Sequence, residues 1–178
     1  TYMRTDSTRI SKEMQAMAKD FILRNYGEDY YPSKPNVYGS KGSAQDAHEA
    51  IRPTSLELTP KMVEPFLSRD ELKLYTLIWN RFVASQMAPQ QNESTTIELN
   101  VNDDYTFKAT GSRVIFPGFS AVYEDTKKED VPQLPALKKN DVAHTVEVLP
   151  EQHFTQPPPR YSEASLIKTL EELGIGRP

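Results

Sequence analysis

The chain has 178 residues, 37% hydrophobic and 26% charged, which is enough for one or two domains with a buried core. It has no cysteine, which excludes disulfides and thiolate metal sites and fits a reducing cytosol, and no apolar run long enough to suggest a membrane span. The net charge of −4 argues against nucleic acid as a partner, because phosphate binding favours basic surfaces. It does so only weakly, since binding depends on where the charges lie.

A first helix is predicted from Ser11 to Tyr26, with Ser11 as N-cap and Gly27 just past its end. Its buried face follows helical spacing and comprises Met14, Met17, Ala18, Phe21 and Ile22. The polar segment from Glu28 to Ser43 is predicted to be a loop, and a short helix from about Ala44 to Ile51 is predicted before Pro53.

Two further helices are predicted before residue 89. Thr59-Pro60 opens a short one, with proline at its first position. Ser68 and Glu71 have the spacing of a capping box, and the helix that follows runs to about Met87. Its apolar stripe consists of Leu72, Tyr75, Trp79, Phe82 and Val83.

The apolar period then changes from 3.6 to 2. Alternation predicts an antiparallel hairpin with strands at 97–101 and 105–109, a third strand at 113–116 and a further strand at 141–149. The charged segment 124–140 is expected to be a flexible surface loop. A last helix is predicted from Glu163 to Leu173, with Ser162 as N-cap and Gly174 as its stop.

The predicted fold class is therefore α+β, with several domains. A helical region covers residues 1–88, an antiparallel β region covers 89–148, and the start of a second helical region covers 149–178. The chain begins with Thr1 rather than Met and stops just after a predicted helix, so both ends are expected to be cuts through a longer protein.

Tyr2 and Arg4 are the first candidates for chemistry. A tyrosine hydroxyl is a poor nucleophile at neutral pH, and a nearby guanidinium would favour the phenolate and hold a phosphate. Side chains at i and i+2 of an extended segment share one side, which would place Arg4 beside Tyr2. By spacing alone, a surface tyrosine near a surface arginine is the commoner arrangement.

Two more groups of residues could bind phosphate. In a helix, His48 and Arg52 would share one face, and His48 could move a proton. The same segment could be an ordinary surface helix, and a metal site is not expected, because no second histidine follows four residues on. Arg160, Ser162 and Arg177 flank the last helix, where free N–H groups favour an anion, although simple helix capping explains Ser162 at least in part.

Taken together, these segments resemble the motifs of type IA DNA topoisomerases, in order and approximate spacing. Residues 1–7 resemble the Tyr-x-Arg-Thr-Asp-Ser segment that supplies the nucleophile, and residues 47–54 resemble a His-Glu-Ala-Ile-Arg-Pro-Thr segment. Residues 77–89 resemble a further family stretch, and 160–178 are similar to the run leading into a Gly-Arg-Pro-Ser-Thr-Tyr motif. The resemblance covers nearly the whole chain and is weakest over 124–140.

The resemblance implies that Tyr2 attacks single-stranded DNA and becomes linked to the 5′ phosphate. Another strand then passes and the 3′ hydroxyl reseals the break without ATP, which relaxes negative supercoils. Arg4 would orient the scissile phosphate, and His48 would support phosphate binding and proton movement. The residues implied to hold the DNA backbone are Arg52, Arg160, Ser162 and Arg177.

The resemblance also implies Mg²⁺, bound in the parent enzyme by an acidic Toprim domain. No Asp-x-Asp cluster at a strand end occurs here, since Asp103-Asp104 lies in a predicted turn, so no metal site is predicted in this chain. The chain alone is therefore expected not to cleave DNA. The implied partner is single-stranded or underwound DNA, and no membrane association is expected. The protein is expected to be a monomer in the bacterial cytoplasm, associated with the nucleoid.

Three alternatives remain open. A reverse gyrase or a decatenating type IA relative would share these motifs and differ in the remainder of the protein, by a helicase-like domain or C-terminal zinc motifs. A non-catalytic single-strand-binding module would stack bases on the loop aromatics Tyr26, Tyr30, Tyr31 and Tyr38. A scaffold domain would use these tyrosines only for packing.

Overall fold

The computed structural model describes residues 1–5, 7–38, 48–102, 104–123 and 134–175. The chain divides into two compact units, Thr1–Lys139 and Asn140–Pro178. The described residues form four α-helices and a two-stranded antiparallel sheet, which confirms the mixed α+β class. The division into domains 1–88, 89–148 and 149–178 stays a prediction. No helix of the described residues is both long and apolar enough to cross a membrane.

Helix α1 spans Lys12–Asn25, as the apolar spacing predicted. The Ser11 side chain accepts a hydrogen bond from the Met14 N–H at its start, and Gly27 follows its end with φ of 101°. Met17 was wrongly assigned to the buried face, since it is 41% exposed and lies outside the stripe that packs inward. The buried side chains of α1 are those of Met14, Ala18, Phe21 and Ile22.

Helices α2, Pro60–Val63, and α3, Arg69–Ser85, follow, with a 3-10 turn between them. The predicted capping box is confirmed: Ser68 donates its N–H to the Glu71 carboxylate over 2.9 Å, and the Ser68 hydroxyl accepts from the Glu71 N–H. Hydrogen bonds from the side chain and backbone of Ser68 hold the pKa of Glu71 below its usual value.

The core of the first unit lies between α1 and α3. The rings of Phe21 and Trp79 meet edge to face with centroids 5.5 Å apart, and the Trp79 indole N–H donates to the carbonyl of Leu56. Both rings are buried, and truncation of one such ring to alanine costs about 3–5 kcal/mol through lost apolar burial and ring contact. The core therefore fixes α1 and the segment before α2 against α3.

The sheet is a long hairpin of β1, Gln91–Val101, and β2, Tyr105–Phe116. The predicted hairpin is confirmed, but the separate third strand at 113–116 is wrong, because Arg113 pairs with Glu93 and β2 simply continues. The two strands remain paired at Gly111, which lies opposite Thr95 and interrupts the alternation of apolar and polar residues. Of the predicted turn, Asp103 lies outside the described residues, and Asn102 has φ of 52°.

The second unit contains helix α4, Glu163–Glu172, capped by Ser162 as predicted. Gly174 follows the helix with φ of 68°. The predicted strand at 141–149 is wrong: these residues have no regular structure, and Val146 is 99% exposed. Alternation alone cannot make a strand, because a strand also needs a neighbour for its backbone groups, and no described strand pairs with this segment. Of the predicted loop 124–140, residues 124–133 lie outside the described residues.

Candidate active site around Tyr2

The backbone of Tyr2 pairs with that of Arg52. The Tyr2 N–H donates to the Arg52 carbonyl over 2.8 Å, and the Arg52 N–H donates to the Tyr2 carbonyl over 3.1 Å, which makes an isolated antiparallel bridge. The described residues 48–52 are therefore not helical, and the prediction of a helical face shared by His48 and Arg52 is wrong. The residue before Pro53 is biased toward extended backbone, which favours pairing over a helical turn. Residues 44–47 of the predicted helix lie outside the described residues.

A guanidinium lies beside the Tyr2 ring, and it belongs to Arg52. The Arg52 Cζ is 5.5 Å from the ring centroid, within the range of a cation–π contact. Arg52 Nε donates to Glu49 Oε2 over 2.8 Å, and Arg52 Nη1 donates to the carbonyl of Pro53 over 3.2 Å. Only 16% of the Arg52 side chain is exposed, so these bonds hold the guanidinium in place.

Arg4, the residue predicted to lie beside Tyr2, is exposed. Among the described residues, no hydrogen bond, ion pair or ring contact joins it to Tyr2. The arginine that contacts the Tyr2 ring thus comes from fifty residues further along the chain. Local spacing favours Arg4, because the i, i+2 pattern relates only residues that are close in sequence.

Glu49 links this site to the start of α1. Its carboxylate accepts from Arg52 Nε over 2.8 Å and from the backbone N–H of Ser11 over 3.3 Å. Although burial alone would raise the pKa of Glu49, the hydrogen bonds from Arg52 and Ser11 together hold that pKa below its usual value. The carboxylate is therefore charged at neutral pH and balances the buried guanidinium.

The Tyr2 hydroxyl accepts a hydrogen bond from the Glu49 backbone N–H, with nitrogen and oxygen 3.4 Å apart. The carbonyl of the same peptide group, that of His48, accepts from Arg9 Nε over 3.3 Å. A backbone donor aimed at a phenol oxygen stabilises negative charge on that oxygen. One peptide group therefore connects the phenol with a second guanidinium. His48 is half-buried, and its role in phosphate binding stays a prediction.

The three residues predicted around α4 fall in the second unit. The Ser162 hydroxyl accepts from the Ser165 N–H, and the Ser162 N–H donates to the Ser165 hydroxyl over 2.8 Å, so Ser162 caps the helix. Arg160 is exposed. Arg177 lies outside the described residues.

Three of the four tyrosines, Tyr26, Tyr30 and Tyr31, are partly buried, whereas Tyr38 is 45% exposed. The Tyr30 ring lies 4.9 Å from that of Phe116 and 5.8 Å from that of Tyr26, and Lys19 lies over the Tyr31 ring. The Tyr38 hydroxyl donates to the carbonyl of Ser85 over 2.6 Å. These contacts join the loop to α1, α3 and β2, which disfavours an exposed platform for stacking bases.

The residues that the structure describes contain no group of three or more His, Asp or Glu side chains able to hold a metal ion. Asp104 is exposed at the hairpin turn, and Glu49 is committed to Arg52 and Ser11. This part of the chain therefore does not fit a magnesium site of its own.

Sequence reasoning missed two residues of the site, Glu49 and Arg9. Glu49 precedes Arg52 by three residues, which suggests an ion pair, but its bond to Ser11 spans 38 positions and leaves no local pattern. Arg9 carries no signal in the sequence, because its partner is a backbone carbonyl.

Comparison with known proteins relates the chain to DNA topoisomerases. The family model described as DNA topoisomerase matches residues 1–178. DNA topoisomerase 1 of Xylella fastidiosa is 48% identical over 186 residues, covering 100% of this chain and 23% of that protein. DNA topoisomerase 1 of Campylobacter jejuni is 49% identical over 179 residues, covering 100% of this chain and 25% of that protein.

Among solved structures, full-length topoisomerase I from Thermotoga maritima matches 99% of this chain with a TM-score of 0.72 and 37% identity. The match covers 28% of that protein, so the chain spans about a quarter of the length of these relatives.

Proposed function

Because the chain belongs to the type IA family of bacterial DNA topoisomerases, we propose that Tyr2 is the nucleophile that breaks one DNA strand. The phenol oxygen attacks a backbone phosphorus and loses its proton, a tyrosine–phosphorus bond forms, and the bond to the 3′ oxygen breaks. The 3′ oxygen takes up a proton and leaves as a hydroxyl. The reverse reaction reseals the strand, so the energy of the broken bond is kept and no ATP is consumed.

The observation that carries this proposal is the pairing of Tyr2 with Arg52. A fixed guanidinium 5.5 Å from the ring centroid and a backbone N–H on the hydroxyl both stabilise negative charge that develops on the phenol oxygen. The bridge to Arg52 holds the Tyr2 backbone, so the hydroxyl is oriented before DNA arrives.

The other predicted roles are part of the same proposal. The exposed side chain of Arg4 binds and neutralises the scissile phosphate, and His48 supports phosphate binding and proton movement. The DNA backbone is held by Arg52, Arg160, Ser162 and Arg177. Residues 1–88 belong to the mobile domain that bears the tyrosine, 89–148 to the arched hinge domain and 149–178 to the DNA-gripping domain.

Mg²⁺ enters this proposal through another part of the protein, a Toprim domain, because the described residues do not fit a magnesium site. When bound there, the metal supplies positive charge for the DNA phosphates. We therefore expect the isolated 178-residue chain not to cleave DNA, and magnesium-dependent nicking by it would overturn this point. The proposed partner is single-stranded or underwound DNA, bound by a monomer in the bacterial cytoplasm.

Plasmid relaxation by the full-length protein that contains this chain tests the proposal. Tyr2→Phe removes the attacking oxygen but keeps the ring on Arg52, so relaxation should be lost while the melting temperature is unchanged. Tyr105→Phe, at a tyrosine that is 68% exposed on the hairpin, is the matched control and should relax normally. Relaxation by Tyr2→Phe at the wild-type rate would favour a non-catalytic DNA-binding module instead.

A further inference from the structure

Arg9 lies on the far side of the peptide group that contacts Tyr2. The Glu49 N–H of that group donates to Tyr2 Oη, and its carbonyl, from His48, accepts from Arg9 Nε. The two hydrogen bonds and the width of one peptide group place Tyr2 Oη and Arg9 Nε at most about 9 Å apart. Arg9 is therefore within reach of the DNA strand that Tyr2 attacks.

The backbone of Arg9 is held on two sides. The Arg9 N–H donates to the Ser7 hydroxyl over 3.1 Å, and the Arg9 carbonyl accepts from the Ala50 N–H over 2.7 Å. With Nε bonded to the His48 carbonyl as well, the direction of the side chain is fixed. Little conformational entropy is then lost when the guanidinium binds a ligand.

The terminal nitrogens of Arg9 remain available. Among the described residues, neither Nη atom has a hydrogen-bond acceptor, and no carboxylate pairs with this guanidinium. Arg24 and Arg113 differ, since they pair with Glu57 and Glu93. The nearby carboxylate of Glu49 is already committed to Arg52 and Ser11. An exposed arginine whose Nε is bonded, and whose Nη groups have no acceptor in the described part of the chain, presents the fork that matches phosphate oxygens.

We propose that Arg9 binds a backbone phosphate of the DNA strand that Tyr2 attacks, and that this phosphate is adjacent to the scissile phosphate. The inference rests on the proposed function and adds to it a contact that no local pattern in the sequence indicates. The proposed contact would add local positive charge beside Tyr2, although the net charge of the chain is −4.

Salt-dependent binding by the full-length protein tests this role. A labelled single-stranded oligonucleotide is titrated without magnesium at several salt concentrations. The slope of log affinity against log salt is negative, and loss of one phosphate contact reduces its magnitude by about 0.7 for a single strand. Arg9→Gln should show this smaller slope and weaker affinity, and Arg9→Lys, which keeps the charge, should restore the slope.

The matched control is Arg69→Gln, which removes the same charge from an exposed residue at the start of α3. It should bind with the wild-type slope, and melting temperatures establish that each variant is folded. An Arg9→Gln slope equal to that of the wild type or of Arg69→Gln overturns the role of Arg9. Adduct formation by the wild type in the same preparation decides the proposed function separately: an adduct with an unchanged Arg9→Gln slope removes Arg9 alone, and no adduct removes the proposed nucleophile whatever the slope.

Discussion

At the scale of single residues, Tyr2 is held by contacts that bring together two distant stretches of chain, one near the N-terminus and one at residues 49–52. Its ring lies under Arg52, its hydroxyl accepts from Glu49, and Glu49 in turn binds the start of α1 at Ser11. The ion pair of Glu49 with Arg52 is mostly shielded from water, so removing one partner leaves a charge without compensation.

Arg52→Lys tests whether the planar guanidinium matters beyond its charge. Lysine keeps one positive charge but cannot donate to Glu49 and the Pro53 carbonyl while its charge lies over the ring. We expect the cleavage rate at saturating DNA to fall about tenfold, equivalent to about 1.4 kcal/mol of transition-state stabilisation. Quench-flow measurement of adduct formation by the full-length protein gives that rate, and an unchanged rate would contradict the role assigned to Arg52.

The lowered pKa of Glu49 predicts how stability depends on pH. A carboxyl whose folded pKa lies below its unfolded value, here 4.5, stabilises the fold above that value and loses this stabilisation as pH falls through the folded pKa. The free energy of unfolding of Glu49→Gln should thus be about 1–2 kcal/mol lower than that of the wild type at pH 7. The difference should shrink below pH 4.5.

Urea titrations of the chain across this pH range measure the effect. Glu147→Gln, at an exposed residue outside any ion pair of the described part of the chain, is the control and should change little at any pH. The prediction is contradicted if the difference in free energy of unfolding between Glu49→Gln and the wild type stays constant or grows down to pH 3. Either result would show that the carboxylate does not stabilise the fold through its charge.

At the scale of elements, the segment that follows β2 is joined to the segment that follows α3 by a close backbone contact. The Phe119 N–H donates to the Ala88 carbonyl over 2.8 Å, just after Gly118 with its φ of 50°. A Cβ on Gly118 would lie 2.4 Å from the Pro89 carbonyl oxygen, which is backbone and cannot move aside. Glycine is therefore required here by both conformation and space.

Gly118→Ala should lower the free energy of unfolding by more than about 1 kcal/mol, because it adds a clash to the strain of a positive φ. Gly27→Ala is a matched control, since its φ is also positive but a Cβ there meets nothing within 4 Å. Chemical denaturation should show the larger loss for Gly118→Ala, and equal losses would remove the argument from the contact with Pro89.

Local signals predicted the elements that local forces determine. Caps at Ser11, Ser68 and Ser162 located three helix starts, because a cap is made by residues a few positions apart. Alternation located the hairpin but not its continuation past Gly111, and it wrongly predicted a strand at 141–149, because pairing depends on a partner strand. The resemblance makes Tyr2 the candidate nucleophile, which stays a prediction, whereas its contacts with Arg52 and Glu49 are long-range in sequence and become evident only in the fold.

At the scale of the whole molecule, the chain spans about a quarter of the length of its topoisomerase relatives. Its described residues build a phenol site with fixed positive charge but no cluster of metal ligands. Under the proposed function, this chain would supply the nucleophile and phosphate contacts, and the magnesium-binding carboxylates would come from a Toprim domain elsewhere in the protein.

The most direct test of this account is to identify the residue that becomes bound to DNA. The full-length protein containing this chain is mixed with a labelled single-stranded oligonucleotide and magnesium, quenched with denaturant, digested and analysed by mass spectrometry. The account predicts a nucleotide linked through its 5′ phosphate to Tyr2, and no adduct in Tyr2→Phe. An adduct on another residue, or none under conditions in which the protein relaxes plasmid, would contradict the assignment of Tyr2 as the nucleophile.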